Sequence, residues 1–226
     1  MDLLQLREKE VFEALKKIKK YGFVMIGGYA VNAHTLPRFS VDCDIVVENA
    51  VEAGKIGKEL ENFGYKEEKT HKFAPYHGEF FRYEKEIQKN FRVSFDILAG
   101  NVFDRNSRAL FSAEWVFENS AVMLVKGKTI AEELKLRIIN PDALIVMKFA
   151  PSRVSDIRDI FMLMPQAKDL EWIKNEASRR CNLDDRLEKI KAKIASAEFK
   201  NNLQGVYGYI DKKVFEKHKN AVLELG

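Results

Sequence analysis

Two aspartates lie within a stretch that otherwise has the composition of a buried strand, VDCDIVV at residues 41–47. Side chains alternate between the two faces of a strand, so Asp42 and Asp44 are predicted to point the same way. Cys43 lies between them and is predicted to face the core as a small apolar residue. Two neighbouring carboxylates need a nearby cation, or one of them must hold a proton. The chain therefore has to fold so that this strand face meets a cation or solvent.

A pair of glycines comes shortly before this strand. The apolar run GFVMI at residues 22–26 predicts a short strand, and YAVNAHTL at residues 29–36 predicts a helix that stops at Pro37. Gly27 and Gly28 between them allow a close backbone approach, and the N-terminus of the helix offers free N–H groups to a phosphate. The sequence therefore predicts a phosphate site beside the carboxylate strand.

A third carboxylate is placed by the alternation of a later segment, FRVSFDILA at residues 91–99. Its apolar residues share one strand face, and Asp96 lies on the opposite, polar face. Taken alone, Asp96 is an ordinary polar-face residue. Together with Asp42 and Asp44 it completes a cluster of three carboxylates, and hard oxygen ligands of this kind suit Mg²⁺ or Mn²⁺.

The pattern along the chain changes near residue 140. The first part predicts helices at 2–20 and 50–64 and strands at 79–85, 91–99, 121–127 and 134–139. Asn140 and Pro141 then form a helix cap and first helical position, and the remainder has helical period. We therefore predict an α/β (α+β) fold, with a mixed-sheet domain over residues 1–140 and an α-helical region over 141–226.

Composition narrows the class of protein. No apolar run approaches the roughly 18 residues of a membrane helix, and the first residues lack the layout of a signal peptide, so we expect a cytoplasmic protein without a membrane partner. Two distant cysteines do not make a disulfide framework. The net charge of +4 is compatible with an anionic ligand such as a nucleotide or RNA.

The glycine pair and the carboxylate strand together resemble a known signature. Ile26-Gly27-Gly28 followed by Asp42-Cys43-Asp44 is similar to the signature of the DNA polymerase β-like nucleotidyltransferase superfamily. The fuller pattern resembles the small prokaryotic branch that includes AbiEii-like toxins, through Arg38, Ser40, Asp42 and Asp44. A second, helical segment is similar to that branch as well, through Lys148, Ala150, Arg153, Asp156 and Asp159.

The resemblance implies a role for each matched residue. Asp42 and Asp44 would hold the metal ions that bind the phosphates of a nucleoside triphosphate such as ATP, and Asp96 the ion that activates the acceptor hydroxyl. Gly27 and Gly28 would admit the triphosphate, with Arg38 or Ser40 close to it. Lys148 would neutralise phosphate charge from the helical side. The alternative for the second segment is an ion-pair network of Arg153, Asp156 and Asp159 that ties helices together.

The acceptor stays open at this point. The AbiEii-like resemblance implies nucleotide transfer to tRNA or another toxin target, and an antitoxin protein as a partner. The same machinery acts on a small hydroxyl compound in antibiotic-modifying enzymes. Two alternatives of another class are a non-catalytic nucleotide-binding or regulatory module and a structural partner in a toxin–antitoxin complex.

Overall fold

The structure is a computed structural model, and it describes residues 2–68 and 79–226. The strands of this part are β1 (Val24–Met25), β2 (Asp42–Val47), β3 (Lys66–Glu68), β4 (Glu79–Gln88), β5 (Phe91–Ala99), β6 (Asn101–Phe103), β7 (Leu110–Ser112), β8 (Ser120–Val125) and β9 (Leu134–Ile139). The helices are α1 (Leu3–Ile18), α2 (Gly27–His34), α3 (Ala50–Asn62), α4 (Ala113–Glu118), α5 (Pro141–Phe149), α6 (Val154–Leu163), α7 (Leu170–Ser178), α8 (Leu183–Ala195), α9 (Ala197–Tyr207) and α10 (Lys212–Leu223).

Seven of the strands form one mixed sheet, in the order β3-β4-β5-β2-β1-β9-β8. β2 runs parallel to β5 and β1 parallel to β9, whereas the other neighbours in this sheet are antiparallel. β6 and β7 pair as a separate two-stranded sheet. The α+β class with a mixed sheet and a helical C-terminal region, predicted from the sequence, is confirmed.

The apolar face of the central strands forms a core with two helices. Cys43, Ile45, Phe95 and Ile97 are all fully buried, as the alternation of β2 and β5 predicts. α1 and α3 pack against each other and against β5. Burial raises the pKa of the Cys43 thiol well above its ordinary value, so this cysteine is an inert core residue and its thiolate is disfavoured.

Capping residues explain where the helices begin and end. The side chain of Asn49 accepts a hydrogen bond from the Glu52 amide (3.1 Å) at the start of α3, and that of Asn140 accepts one from the Ala143 amide (2.8 Å) at the start of α5. The cap predicted at Asn140 is thus confirmed. Pro151 separates α5 from α6, because proline lacks the N–H that a continuous helix needs there.

A buried glutamate fastens the N-terminal helix to a distant loop. Glu8 on α1 is only 1% exposed, and its carboxylate accepts bonds from the amides of Lys128 (2.5 Å) and Thr129 (2.8 Å) and from the Thr129 hydroxyl (2.6 Å). A side chain on Gly127 has no room, since its Cβ would lie 2.9 Å from the Glu8 carboxyl carbon. The loop before β9 is therefore shaped around this one carboxylate.

The described residues cluster into two compact units. The first comprises the described residues within Met1–Ala33, Pro37–Phe103 and Leu110–Ile139, and contains both sheets. The second comprises Asn140–Gly226 together with two short segments, His34–Leu36 and Asp104–Ala109. No helix in the described ranges is both long enough and apolar enough to cross a membrane.

Candidate active site

Neighbouring strands bring the three predicted carboxylates onto one face of the sheet. In the parallel pairing of β2 with β5, Asp44 stands opposite Asp96 and Asp42 stands opposite Ser94. Paired residues of adjacent strands point to the same face, and the strands lie about 4.8 Å apart. The pairing therefore places Asp96 on the same face of the sheet as Asp42 and Asp44. Their roles as metal ligands and catalytic residues stay predictions.

Gly27 and Gly28 leave room for two side chains of this site. Gly27 has a positive φ of +66°, and a Cβ on it would lie 1.9 Å from Oδ2 of Asp44. A Cβ on Gly28 would lie 2.3 Å from the hydroxyl of Ser40. The Ile26 amide also donates to the carbonyl of Asp44 (3.0 Å), which fixes the start of α2 beside β2. Glycine is thus needed at both positions, because Asp44 and Ser40 occupy the space of the side chains.

An asparagine that sequence reasoning missed holds the segment before β2. Asn32 is fully buried on α2; its amide donates to the carbonyl of Arg38 (2.8 Å), and its side-chain oxygen accepts from the amide of Arg38 (3.0 Å). The Arg38 guanidinium, also buried, donates to the carbonyl of Phe39 (3.1 Å). The signal in the sequence is a polar residue within the apolar helix YAVNAH. Asn32 fixes the backbone of Arg38, two residues before Ser40.

Asp96 forms an ion pair that the sequence did not predict. Arg82 on β4 stands opposite Asp96 in the antiparallel pairing and donates through Nε to Oδ1 (2.8 Å) and through Nη2 to Oδ2 (2.6 Å). The Asp96 side chain is 10% exposed and that of Arg82 is 32% exposed. Burial raises the pKa of Asp96, while Arg82 opposes the rise. The bond to Asp96 raises the pKa of Arg82.

The donor set fits a hard divalent cation only in part. Asp42 and Asp44 offer carboxylate oxygens from one strand face, and Asp42 Oδ1 accepts a hydrogen bond from the Ser94 hydroxyl. Both oxygens of Asp96, in contrast, are engaged by Arg82. Over residues 2–68 and 79–226, no three histidine, cysteine, aspartate or glutamate side chains are arranged to hold a metal ion. Arg82 takes up one lone pair on each Asp96 oxygen, which weakens Asp96 as a metal ligand.

Lys148 lies in the helical unit within a buried ion-pair cluster. Its ammonium is 2.8 Å from Oδ2 of Asp159 and 3.5 Å from Oδ1 of Asp156, and the lysine is 9% exposed. Oδ2 of Asp156 accepts from the Arg153 amide (3.0 Å) at the start of α6, and the Arg153 guanidinium pairs with Asp104. This geometry matches the ion-pair alternative for the second motif. A role for Lys148 toward a nucleotide stays a prediction.

Comparison with known proteins shows a similarity of fold to solved structures. No family model matches the chain, and no curated protein matches it in sequence. Among solved structures, JHP933 from Helicobacter pylori is 14% identical with a TM-score of 0.52, and the match covers 100% of this chain and 92% of that one. The chain shares the fold of JHP933. Identity this low relates the two folds alone.

Two further structures match less closely. A protein named as a candidate nucleotidyltransferase of H. pylori is 13% identical, with a TM-score of 0.49 and coverage of 100% of this chain and 95% of that one. Lincosamide antibiotic adenylyltransferase LnuA, solved with lincomycin bound, is 20% identical, with a TM-score of 0.44 and coverage of 69% and 94%. Similarity at these scores does not extend the activity of either protein to this chain.

Proposed function

We propose that this protein is a metal-dependent nucleotidyltransferase, which moves a nucleoside monophosphate from a nucleoside triphosphate to an acceptor hydroxyl and releases pyrophosphate. The observation that carries the proposal is the register of β2 with β5, which sets Asp44 beside Asp96 with Asp42 on the same face. Gly27, the first residue of α2, packs against the Asp44 carboxylate. This is the combination of phosphate and carboxylate elements that the polymerase β-like resemblance predicts.

Some residues of the site would bind the metal ions, and others would bind and orient the triphosphate. Asp42 and Asp44 would hold Mg²⁺ or Mn²⁺, which when bound offsets charge on the entering and leaving oxygens of an in-line phosphoryl transfer. Gly27 and Gly28 would let the triphosphate approach the backbone closely. Arg38, whose backbone is held by Asn32, and Ser40 would orient it.

Asp96 is assigned to the acceptor side of the reaction. Standing next to Asp44, its carboxylate would take the proton of the attacking hydroxyl or orient that hydroxyl toward the α-phosphorus. Lys148 would neutralise negative charge on the phosphates of the nucleotide. The AbiEii-like resemblance favours tRNA or another toxin target as the acceptor, with an antitoxin protein as partner, over a small hydroxyl compound such as an antibiotic.

A second candidate function rests on the ion pair of Asp96 with Arg82. An arginine that neutralises the third carboxylate through two hydrogen bonds reduces its capacity to hold a metal or take a proton. A chain with this pair locked in place would bind a nucleotide without transferring it. The candidate is then a nucleotide-binding or regulatory module on the same face of the sheet.

Incubation with each labelled nucleoside triphosphate, Mg²⁺ and total tRNA tests the proposal. We expect label transfer from the wild type and a loss of at least about a hundredfold in Asp42→Asn and Asp44→Asn. Glu48→Gln, which removes a charge from an exposed residue just after β2, is the matched control and should transfer normally. Nucleotide binding without transfer supports the second candidate, and full transfer by both asparagine variants places the chemistry elsewhere.

A further inference from the structure

A row of charged side chains crosses four neighbouring strands at the site. Glu68 on β3 stands opposite Arg82 on β4, Arg82 opposite Asp96 on β5, and Asp96 opposite Asp44 on β2. Register partners of this kind share one face of the sheet. Arg82 is therefore a cation placed between two carboxylates, on the same face and in the same row as the proposed metal ligands.

Of its two register neighbours, Arg82 pairs with Asp96. Two parallel N–H···O bonds of 2.8 and 2.6 Å join them, which is the fork geometry in which a guanidinium binds a carboxylate most strongly. The Asp96 side chain is only 10% exposed, which limits screening of its charge, whereas that of Arg82 is 32% exposed and reaches solvent. Glu68 is exposed and offers Arg82 a solvated carboxylate one strand away.

This pairing opposes coordination of a metal by Asp96. The two charge-assisted bonds take up one lone pair on each Asp96 oxygen and fix the orientation of the carboxylate, which weakens its affinity for a divalent cation. The positive charge of Arg82 in the same row also repels that cation. Without Arg82, the negative charges of Asp96, Asp44 and Asp42 would lack a nearby counter-charge, so a divalent cation would be attracted more strongly.

We propose that Arg82 is a built-in counter-cation, which holds Asp96 in the metal-free protein and competes with the divalent metal for that carboxylate. Arg82 is a positioning residue, because it acts on the site through Asp96. Release of Asp96 frees the guanidinium for another anion of the row or for the phosphates of an incoming nucleotide. This inference rests on the proposed function, since it takes the three carboxylates to be the metal ligands.

Titration of the intact protein with Mn²⁺ alone, followed by the electron paramagnetic resonance signal of free Mn²⁺, tests the competition. We expect Arg82→Gln to bind Mn²⁺ about tenfold more tightly than the wild type, because the metal no longer displaces a guanidinium from Asp96. Arg82→Lys keeps the charge but loses the fork, and should bind about threefold more tightly. Equal or weaker binding by both variants overturns the proposal.

Arg92→Gln is the matched control for loss of charge. Arg92 lies on the same face of β5, but it pairs with Glu84 (2.9 Å) and its side chain is 63% exposed. Its removal should change the Mn²⁺ affinity by less than about twofold, because exposed charges are screened. If Arg92→Gln and Arg82→Gln gain Mn²⁺ affinity equally, the cause is a general charge effect, and Arg82 does not compete with the metal for Asp96. The gain should also vanish in the double variant of Arg82→Gln with Asp96→Asn.

Thermal unfolding supplies a second readout that does not depend on activity. Arg82→Gln leaves Asp96 without its bidentate partner, so it should melt below the wild type in metal-free buffer and gain more than the wild type on addition of Mn²⁺. If Arg82→Gln does not fold, the melting temperatures of Arg82→Lys and the wild type, with and without Mn²⁺, test the proposal in the same way. If the wild type transfers nucleotide but both Arg82 variants bind Mn²⁺ with the same affinity as the wild type, this inference is wrong and the proposed function stands. Absence of both Mn²⁺ binding and transfer in the wild type overturns the proposed function as well.

Discussion

At the scale of single residues, Gly27 is restricted both by its backbone conformation and by its contact with the Asp44 carboxylate. Its φ of +66° disfavours any other L residue, and a Cβ there would collide with the Asp44 carboxylate. We predict that Gly27→Ala lowers the free energy of unfolding by about 2 kcal/mol or more, since a strained non-glycine conformation alone costs about 1–3 kcal/mol. Urea unfolding measures the loss.

Gly54 provides the matched control for this substitution. It lies within α3, and a Cβ on it would meet nothing within 4 Å. Gly54→Ala should leave stability unchanged or raise it by about 0.5–1 kcal/mol, because alanine is the better helix former. Part of the cost of Gly27→Ala should disappear in an Asp44→Ala background, where the carboxylate is gone. Equal losses in the two glycine variants would contradict a collision with Asp44.

Lys148 offers a second test at the residue scale. Asp159 is 1% exposed, and its ion pair with the Lys148 ammonium at 2.8 Å is much closer than its pair with Arg158 at 3.9 Å. Removal of one partner from a buried pair costs about 3–5 kcal/mol, so we predict a loss of that order in Lys148→Met. Urea denaturation compares it with Lys55→Met, whose exposed pair with Glu52 should matter by less than about 1 kcal/mol. A stable Lys148→Met that loses nucleotide binding would favour the ligand role instead.

At the scale of elements, the sequence predicts the strands that carry the site. Alternation placed β2 and β5 within a residue of their observed ends and put Cys43 and Phe95 on a buried face, but Ser94 and Asp96 on the polar face of β5 are buried as well. β3 was missed because all three of its residues, from Lys66 to Glu68, are exposed, so no alternation marks it. β6 and β7 have three residues each and are recognisable only once paired.

The partner of Asp96 was beyond sequence reasoning for a related reason. Alternation assigns a residue to a face but does not say which residue of the next strand stands opposite it. The pairing of β4 with β5 contains a shift between Glu86 and Gln88, so counting back from the turn gives the wrong partner. Arg82 reaches Asp96 only in the observed register.

The packing of α10 against α6 leads to a prediction on pH. Nδ1 of His218 donates to the carbonyl of Phe161 (2.9 Å), and its ring stacks on that of Phe161. Burial lowers the pKa of His218 below its ordinary value of 6.5, with the nearby charge of Lys217 acting in the same direction. The fold thus favours the neutral ring, so its contribution to stability is present above pH 6.5 and is lost as the pH falls below that value.

Urea unfolding from pH 8 to pH 5 checks this. The wild type should lose stability below pH 6.5 with a slope of at most about 1.4 kcal/mol per pH unit from this residue. His218→Asn, which keeps a side-chain donor and does not titrate, should show a shallower slope over the same range. Other titrating groups are common to both proteins and cancel in the difference. Parallel curves would show that His218 does not contribute.

At the scale of the whole molecule, the second unit depends on a segment from early in the chain. The loop at Asp104–Ala109 belongs to it, and Asp104 organises that loop by accepting bonds from the Ser107 amide and hydroxyl, both at 2.8 Å. We predict that a fragment of residues 140–226 melts at a lower temperature than the helical unit of the intact chain, because Arg153 loses Asp104 as its partner. Circular dichroism melts provide the measurement. Asp104→Ala in the full chain should reproduce part of the loss, and identical melting of the fragment and the intact unit would refute the dependence.

The position of β9 in the sheet determines how long β1 of the nascent chain waits for its neighbouring strand. β9 lies between β1 and β8, with Ile138 opposite Met25, roughly 110 positions earlier. A ribosome that adds about 5–20 residues per second exposes β1 for roughly 5–25 s before its neighbour emerges. During that time β2 and β5 can already pair, whereas the other edge of β1 remains open to any extended chain. A chaperone that binds extended apolar segments would therefore have its main opportunity at residues 23–26 of the nascent chain.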